Sequence, residues 1–189
     1  MKLIWLDLET TGLNPETDAI LEVAAFEATL ERPFDVRPLY ECVLGFPASY
    51  PPLHPIVQKM HTKNGLFAAC AESVVSVKSA EVDLLHRIPR DEDLAVLAGS
   101  CIHFDHSFIR AKMPELNARL SHRHYDVSAV SLFARSLGMP KLPKTEAHRA
   151  AADILASIGQ ARAVAQWFHR MTGTQALSGF VIRSVGSLR

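Results

Sequence analysis

No run of about 18 consecutive apolar residues occurs in this chain, so no membrane-crossing helix is expected. The opening stretch, MKLIWLDLET, has neither the apolar length nor the small-residue cleavage site of a secretory leader. Cysteine is scarce. Cys42, Cys70 and Cys101 stand far apart and form no CxxC pair, which argues against a zinc site or a disulfide framework. A reducing cytoplasm is the expected setting. Internal repeats and low-complexity segments are absent. Acid is absent too over a long stretch: none follows Asp153, while Arg162, Arg170, Arg183 and Arg189 do.

What is present is a chain of 189 residues, 48% of them hydrophobic. That supports one globular domain with a sizeable core. The net charge of zero conceals an asymmetry. Residues 1–105 carry 8 Lys/Arg against 16 Asp/Glu, and residues 106–189 carry 12 against 4. An acidic half that gathers cations beside a basic half that attracts phosphate suits a nucleic-acid enzyme. Two solvated faces that neutralise each other would give the same totals.

Residues 2–8 read as a short buried strand ended by TTG, residues 18–29 as a second strand with a bend, and residues 36–44 as a third. The proline-rich stretch GFPASYPPLHP, residues 45–55, reads as loop. Residues 65–87 look helical, residues 93–100 form a short strand, and helices follow at about 105–120, 126–137 and 148–169. The loop GMPKLPK separates the last two. Strands first, with helices around them, predict an α/β domain with a mixed sheet. That domain is expected over residues 1–170, with a basic, Gly/Ser-rich tail over 171–189.

Within the first strand stand two acids, Asp7 and Glu9, flanked by Ile4, Trp5, Leu6 and Leu8. Residues two apart on a strand point to the same face. Two adjacent carboxylates cannot both stay ionised in a dry site without a cation. Magnesium, a hard cation with oxygen ligands, answers that need. Two further acids are ambiguous alone. Asp153 stands in the first turns of an alanine-rich helix, where it could simply balance the helix dipole. Asp105 follows a strand and opens a helix, as an N-cap would. His148, five residues before Asp153, could be an ordinary helix flank.

Taken together, Asp7-x-Glu9, Asp105 and His148-x4-Asp153 resemble the DEDDh 3′–5′ exonucleases of the RNase H-like fold. The stretches LIWLDLETTGL, MHTKNGL, MPEL, DVS and HRAAADI look most like the oligoribonuclease family among them. That resemblance runs from residue 3 to about 168. It implies an RNase H-like fold with a mixed central sheet flanked by helices. It implies two divalent ions, Mg2+ or Mn2+, held by Asp7, Glu9, Asp105 and Asp153, with His148 as general base. The expected reaction removes 5′-mononucleotides from the 3′ end of short single-stranded RNA, dinucleotides included. A homodimer is implied as well.

For substrate contacts the resemblance points to Leu13 as a wedge between the last two bases, to His61 as a contact to a substrate phosphate, and to Thr10 as a further contact. A cap over the 5′ phosphate would use Arg123, with His122 where a tyrosine is expected and Cys101 where a serine is expected. Ile56 stands where a tryptophan is expected. Base stacking on an aromatic face is worth about 1–3 kcal/mol, so this cap is expected to select dinucleotides less strictly. The alternatives are a broad or DNA-directed exonuclease of the proofreading type and, remotely, a metal-dependent phosphatase suggested by DLETT.

Overall fold

The computed structural model describes residues 1–46, 53–88, 94–143 and 147–172. Five strands form one sheet: β1 (Lys2–Thr10), β2 (Ile20–Thr29), β3 (Arg32–Val43), β4 (Ala95–Gly99) and β5 (Leu120–Asp126). Their order is β3-β2-β1-β4-β5. The β1/β2 and β2/β3 pairs are antiparallel, and β4 pairs in parallel with both β1 and β5. The expected mixed sheet is therefore present.

β1 is central and covered on both faces, which is why its sequence is so nearly continuous in apolar residues. Leu3 and Trp5 pack to one side with Ile154, Ile158 and Ala161 of the long helix α7 (Ala150–Thr172). Ile4, Leu6 and Leu8 pack to the other, against Leu84 of α3 (Val77–Arg87) and Phe108 of α4 (His103–Lys112). Strand alternation continues past Trp5, so Asp7 and Glu9 project toward the α7 side. Gly99 ends β4 where a Cβ would stand 2.9 Å from the Leu6 carbonyl oxygen. A side chain there would push β4 away from β1.

Several boundaries differ from the sequence reading. The stretch 65–87 is two helices, α2 (Leu66–Glu72) and α3, because Ser73 turns extended and Ser76 opens α3 with a capping box to Ser79. The helix expected at 105–120 stops at Met113. Pro114 then starts the short α5 (Pro114–Asn117), and the chain enters β5. β5 escaped notice because LSHRHYD lacks an apolar alternation, as an edge strand can. The proline-rich loop gives way at Pro55 to α1 (Pro55–Lys63), since proline is well tolerated at the first helical position. Helix α6 (Val127–Ser136) falls as expected, capped by the Asp126 carboxylate. Residues 47–52 of that loop and 173–189 of the expected tail lie outside the described residues. Among the described residues, no helix is long and apolar enough to cross a membrane.

The MPEL stretch acquires a structural role here. Glu81 of α3 is fully buried, and its Oε1 accepts from the N–H of Glu115 (2.7 Å) and of Leu116 (3.0 Å). Lys78 supplies the counter-charge at 3.0 Å. Glu81→Ala would strand both N–H groups. It is expected to cost about 2–4 kcal/mol, read as a lower urea midpoint at unchanged slope. An unchanged midpoint would contradict this role.

Candidate active site

β1 and α7 bring their acids together. One carboxylate oxygen each from Asp7, Glu9 and Asp153 lie within 4.8 Å of one another. Asp105 enters from α4, buried, its Oδ1 accepting from the Leu8 N–H at 2.9 Å. It thereby pins β1 between the two strand acids while standing outside the tight group of three.

The electrostatics are those of crowded charge of one sign. Burial raises the Asp7 pKa well above the usual carboxylate range, and Asp105, Glu9, Asp153 and Glu22 add to the rise. Glu9 is pushed up to about 8, by burial first and then by Asp153, Glu22 and Asp105, with Arg149 opposing. Asp105 rises to about 7 through burial, against the pull of the Leu8 N–H. This donor set is oxygen only, hard, anionic and partly dry. It fits a divalent cation of the Mg2+ or Mn2+ kind, whose charge would relieve the repulsion.

His148 immediately precedes Arg149 and α7, with its backbone in the left-handed region at φ 50°. The Asn64 side-chain amide at the end of α1 donates to its carbonyl. Asp153 Oδ1 accepts from the Ala147 N–H at 3.1 Å, closing the turn over the helix start. His148, Asp7 and Asp153 line one groove of about 590 Å3, a size that suits a small ligand. Leu13 stands at this groove with 83% of its surface exposed. Cys101 lines it too, at φ 54°, its Sγ 3.2 Å from Ser128 Oγ.

Other expected contacts are placed differently. His61 is wholly buried, so it offers no surface for a phosphate. Its Nε2 lies 3.2 Å from the Thr10 carbonyl and 3.7 Å from Glu9, with Phe67 edge-on. Burial lowers its pKa, so a neutral ring supports the floor beneath Glu9. The Thr10 hydroxyl donates to the Gly12 carbonyl at 2.7 Å and is thereby committed to the turn. His122 and Arg123 are exposed on β5, away from the lining of the groove, and Ile56 is 69% exposed on α1.

One pair escaped the sequence reading. Glu22 of β2 is fully buried and faces Arg149, whose Nη2 donates to Oε1 at 2.7 Å. The signal was available: a carboxylate in the apolar strand ILEVAAF needs a partner for the same reason that Asp7 and Glu9 do.

Comparison with known proteins identifies the family and the fold. The profile of the Exonuclease family (RNase T) matches residues 4–160. The chain belongs to the exonuclease family. An oligoribonuclease of Corynebacterium diphtheriae is 36% identical over 165 residues, covering 83% of this chain and 78% of the relative. An oligoribonuclease of Mycobacterium tuberculosis is 31% identical over 180 residues, covering 90% and 80%. Among solved structures, exonuclease I of Methylocaldum szegediense aligns at a TM-score of 0.65 with 19% identity, over 91% of this chain and 43% of that one. Exonuclease I of E. coli bound to a dT13 oligonucleotide aligns at 0.63 with 18% identity, over 91% and 42%. The chain thus spans about two fifths of those exonuclease I chains, and the likeness establishes the RNase H-like exonuclease fold.

Charge crowding gives a direct test of the acid cluster. In chelator, Asp7→Asn is expected to raise the melting temperature, by about 2–4 °C for each kcal/mol of repulsion removed. Added Mg2+ is expected to stabilise the native protein and to stabilise the variant less. Calorimetry that finds the variant less stable in chelator, with an equal gain from Mg2+, would contradict the cluster reading.

Proposed function

We propose that this chain is a metal-dependent 3′–5′ exoribonuclease that trims short single-stranded RNA to 5′-mononucleotides. The observation that carries this reading is the convergence of Asp7, Glu9 and Asp153 within 4.8 Å, with Asp7 and Asp153 opening onto one groove with His148. Membership of the exonuclease family and relatives named oligoribonuclease support it.

Asp7, Glu9 and Asp153, with Asp105 behind them, would hold two divalent ions. When bound, those ions would supply water activation and charge stabilisation at the leaving 3′ oxygen. His148 accepts the proton of the attacking water. An imidazole suits that task because its ordinary pKa lies near neutrality. The turn through Ala147 and the Asn64 contact hold its backbone in place. Leu13, apolar and exposed at the groove, presses on the terminal bases. Arg135 and Lys141, at the same groove, meet the backbone phosphates.

Residues 1–170 would form a single exonuclease domain, working in the cytoplasm as a homodimer. A second reading, a broader exonuclease that also trims single-stranded DNA, is favoured by the exposed aliphatic Ile56 where an aromatic face would grip a base. One time course separates the two, using labelled dinucleotide RNA, seven-nucleotide RNA and seven-nucleotide DNA with Mg2+ or Mn2+. Fast loss of the RNA substrates, dinucleotide foremost, supports the first reading. Equal stepwise shortening of RNA and DNA supports the second, and no cleavage at all defeats both. His148→Ala is expected to lower turnover by about 10²–10⁴-fold while calorimetric Mn2+ affinity is largely retained. Loss of both together would refute its role as base.

A further inference from the structure

The Glu22–Arg149 pair joins the two halves of the acid cluster. Glu22 stands on β2 directly opposite Glu9 of β1. Arg149 lies between His148 and the first residue of α7. Both oxygens of Glu22 are engaged. Arg149 Nε donates to Oε1 at 3.0 Å and to Oε2 at 3.1 Å, and Nη2 donates to Oε1 at 2.7 Å. The Ala150 N–H donates to Oε2 at 2.9 Å. One buried carboxylate therefore grips a side chain and the adjoining backbone of the same helix start. A planar guanidinium fork fixes direction as well as distance, which an ammonium group does not.

We propose that Glu22 and Arg149 are positioning residues that set His148 and Asp153 at working distance from Asp7 and Glu9. This rests on the function proposed above and extends it to residues that carry no catalytic group of their own. The left-handed backbone of His148 is strained for a residue with a side chain. Such a conformation persists only where its surroundings hold it. Here Arg149 holds it from the sheet side, and Asn64 holds its carbonyl from α1. The pair also has an electrostatic consequence. Glu22 is a further acid beside the cluster and raises the pKa of Glu9, while Arg149 lowers it. The fork offsets part of the charge that Glu22 adds to the crowding. Leu13 and Cys101, which line the same groove, belong to neither β2 nor α7. Loss of the Glu22–Arg149 pair should therefore act on turnover and metal affinity more than on substrate binding.

Arg149→Lys keeps the charge and removes the fork. It would be assayed well below its own melting temperature with labelled dinucleotide RNA, and titrated with Mn2+ alone by calorimetry. The expected result is a kcat lower by about 10–100-fold, a KM within about threefold, and Mn2+ affinity weaker by about tenfold. A folded Arg149→Lys protein with kcat and Mn2+ affinity within twofold of the native protein would overturn the proposal. So would a raised KM at unchanged kcat. Where Arg149→Lys does not fold, Glu22→Gln, which keeps the shape and an acceptor oxygen, is read in the same way. If the native protein cuts no RNA, the proposed function has failed, and the Mn2+ titration still decides the positioning role.

Discussion

Asp7, Glu9, Asp105 and Asp153 occupy surroundings too dry and too close for charges of one sign to share comfortably. Burial lifts the pKa of Asp7, Glu9 and Asp105, and repulsion from neighbouring acids adds to the rise at Asp7 and Glu9. Such an arrangement lowers stability unless something positive enters it. The rest of the molecule accommodates that cost. β1 is the central strand, covered on both faces, so the acids it carries cannot swing away. α7 is locked along the sheet by Ile154, Ile158 and Ala161, which fixes where Asp153 arrives.

Around the cluster, the protein's own polar groups absorb what they can without filling it. The Leu8 N–H takes one oxygen of Asp105. Arg149 and the Ala150 N–H take both oxygens of Glu22. His61, kept neutral by burial, fills the space beneath Glu9 and meets the Thr10 carbonyl. These groups leave Asp7, Glu9 and Asp153 facing one another, with Asp7 and Asp153 at the groove. A site with its surrounding charges already settled and its central oxygens still converging is preorganised for a cation.

How much of this was legible depended on which physical rule dominated locally. β1, β2 and α7 were readable because continuous apolar strands and a long Ala-rich helix follow simple patterns. The acids of β1 were readable because a carboxylate in such a strand demands an explanation. β5 was not, because an edge strand has one neighbour and can carry Ser121, His122, Arg123 and His124 in succession. α1 was hidden by the prolines before it, although Pro55 is what starts it. His61 was read as a phosphate contact from its motif, and its burial followed only from how α1 folds back on β1. Glu22 and Arg149 are 127 residues apart, a pairing that no local pattern encodes.

On the function proposed above, this cluster of acids holds divalent cations. The most direct measurement is diffraction from crystals grown in chelator and then soaked in millimolar Mn2+, with anomalous difference maps. A strong manganese peak is expected among Asp7, Glu9 and Asp153, with those side chains otherwise as described. A map with no peak there, in crystals that diffract well and keep the three carboxylates converged, would contradict it.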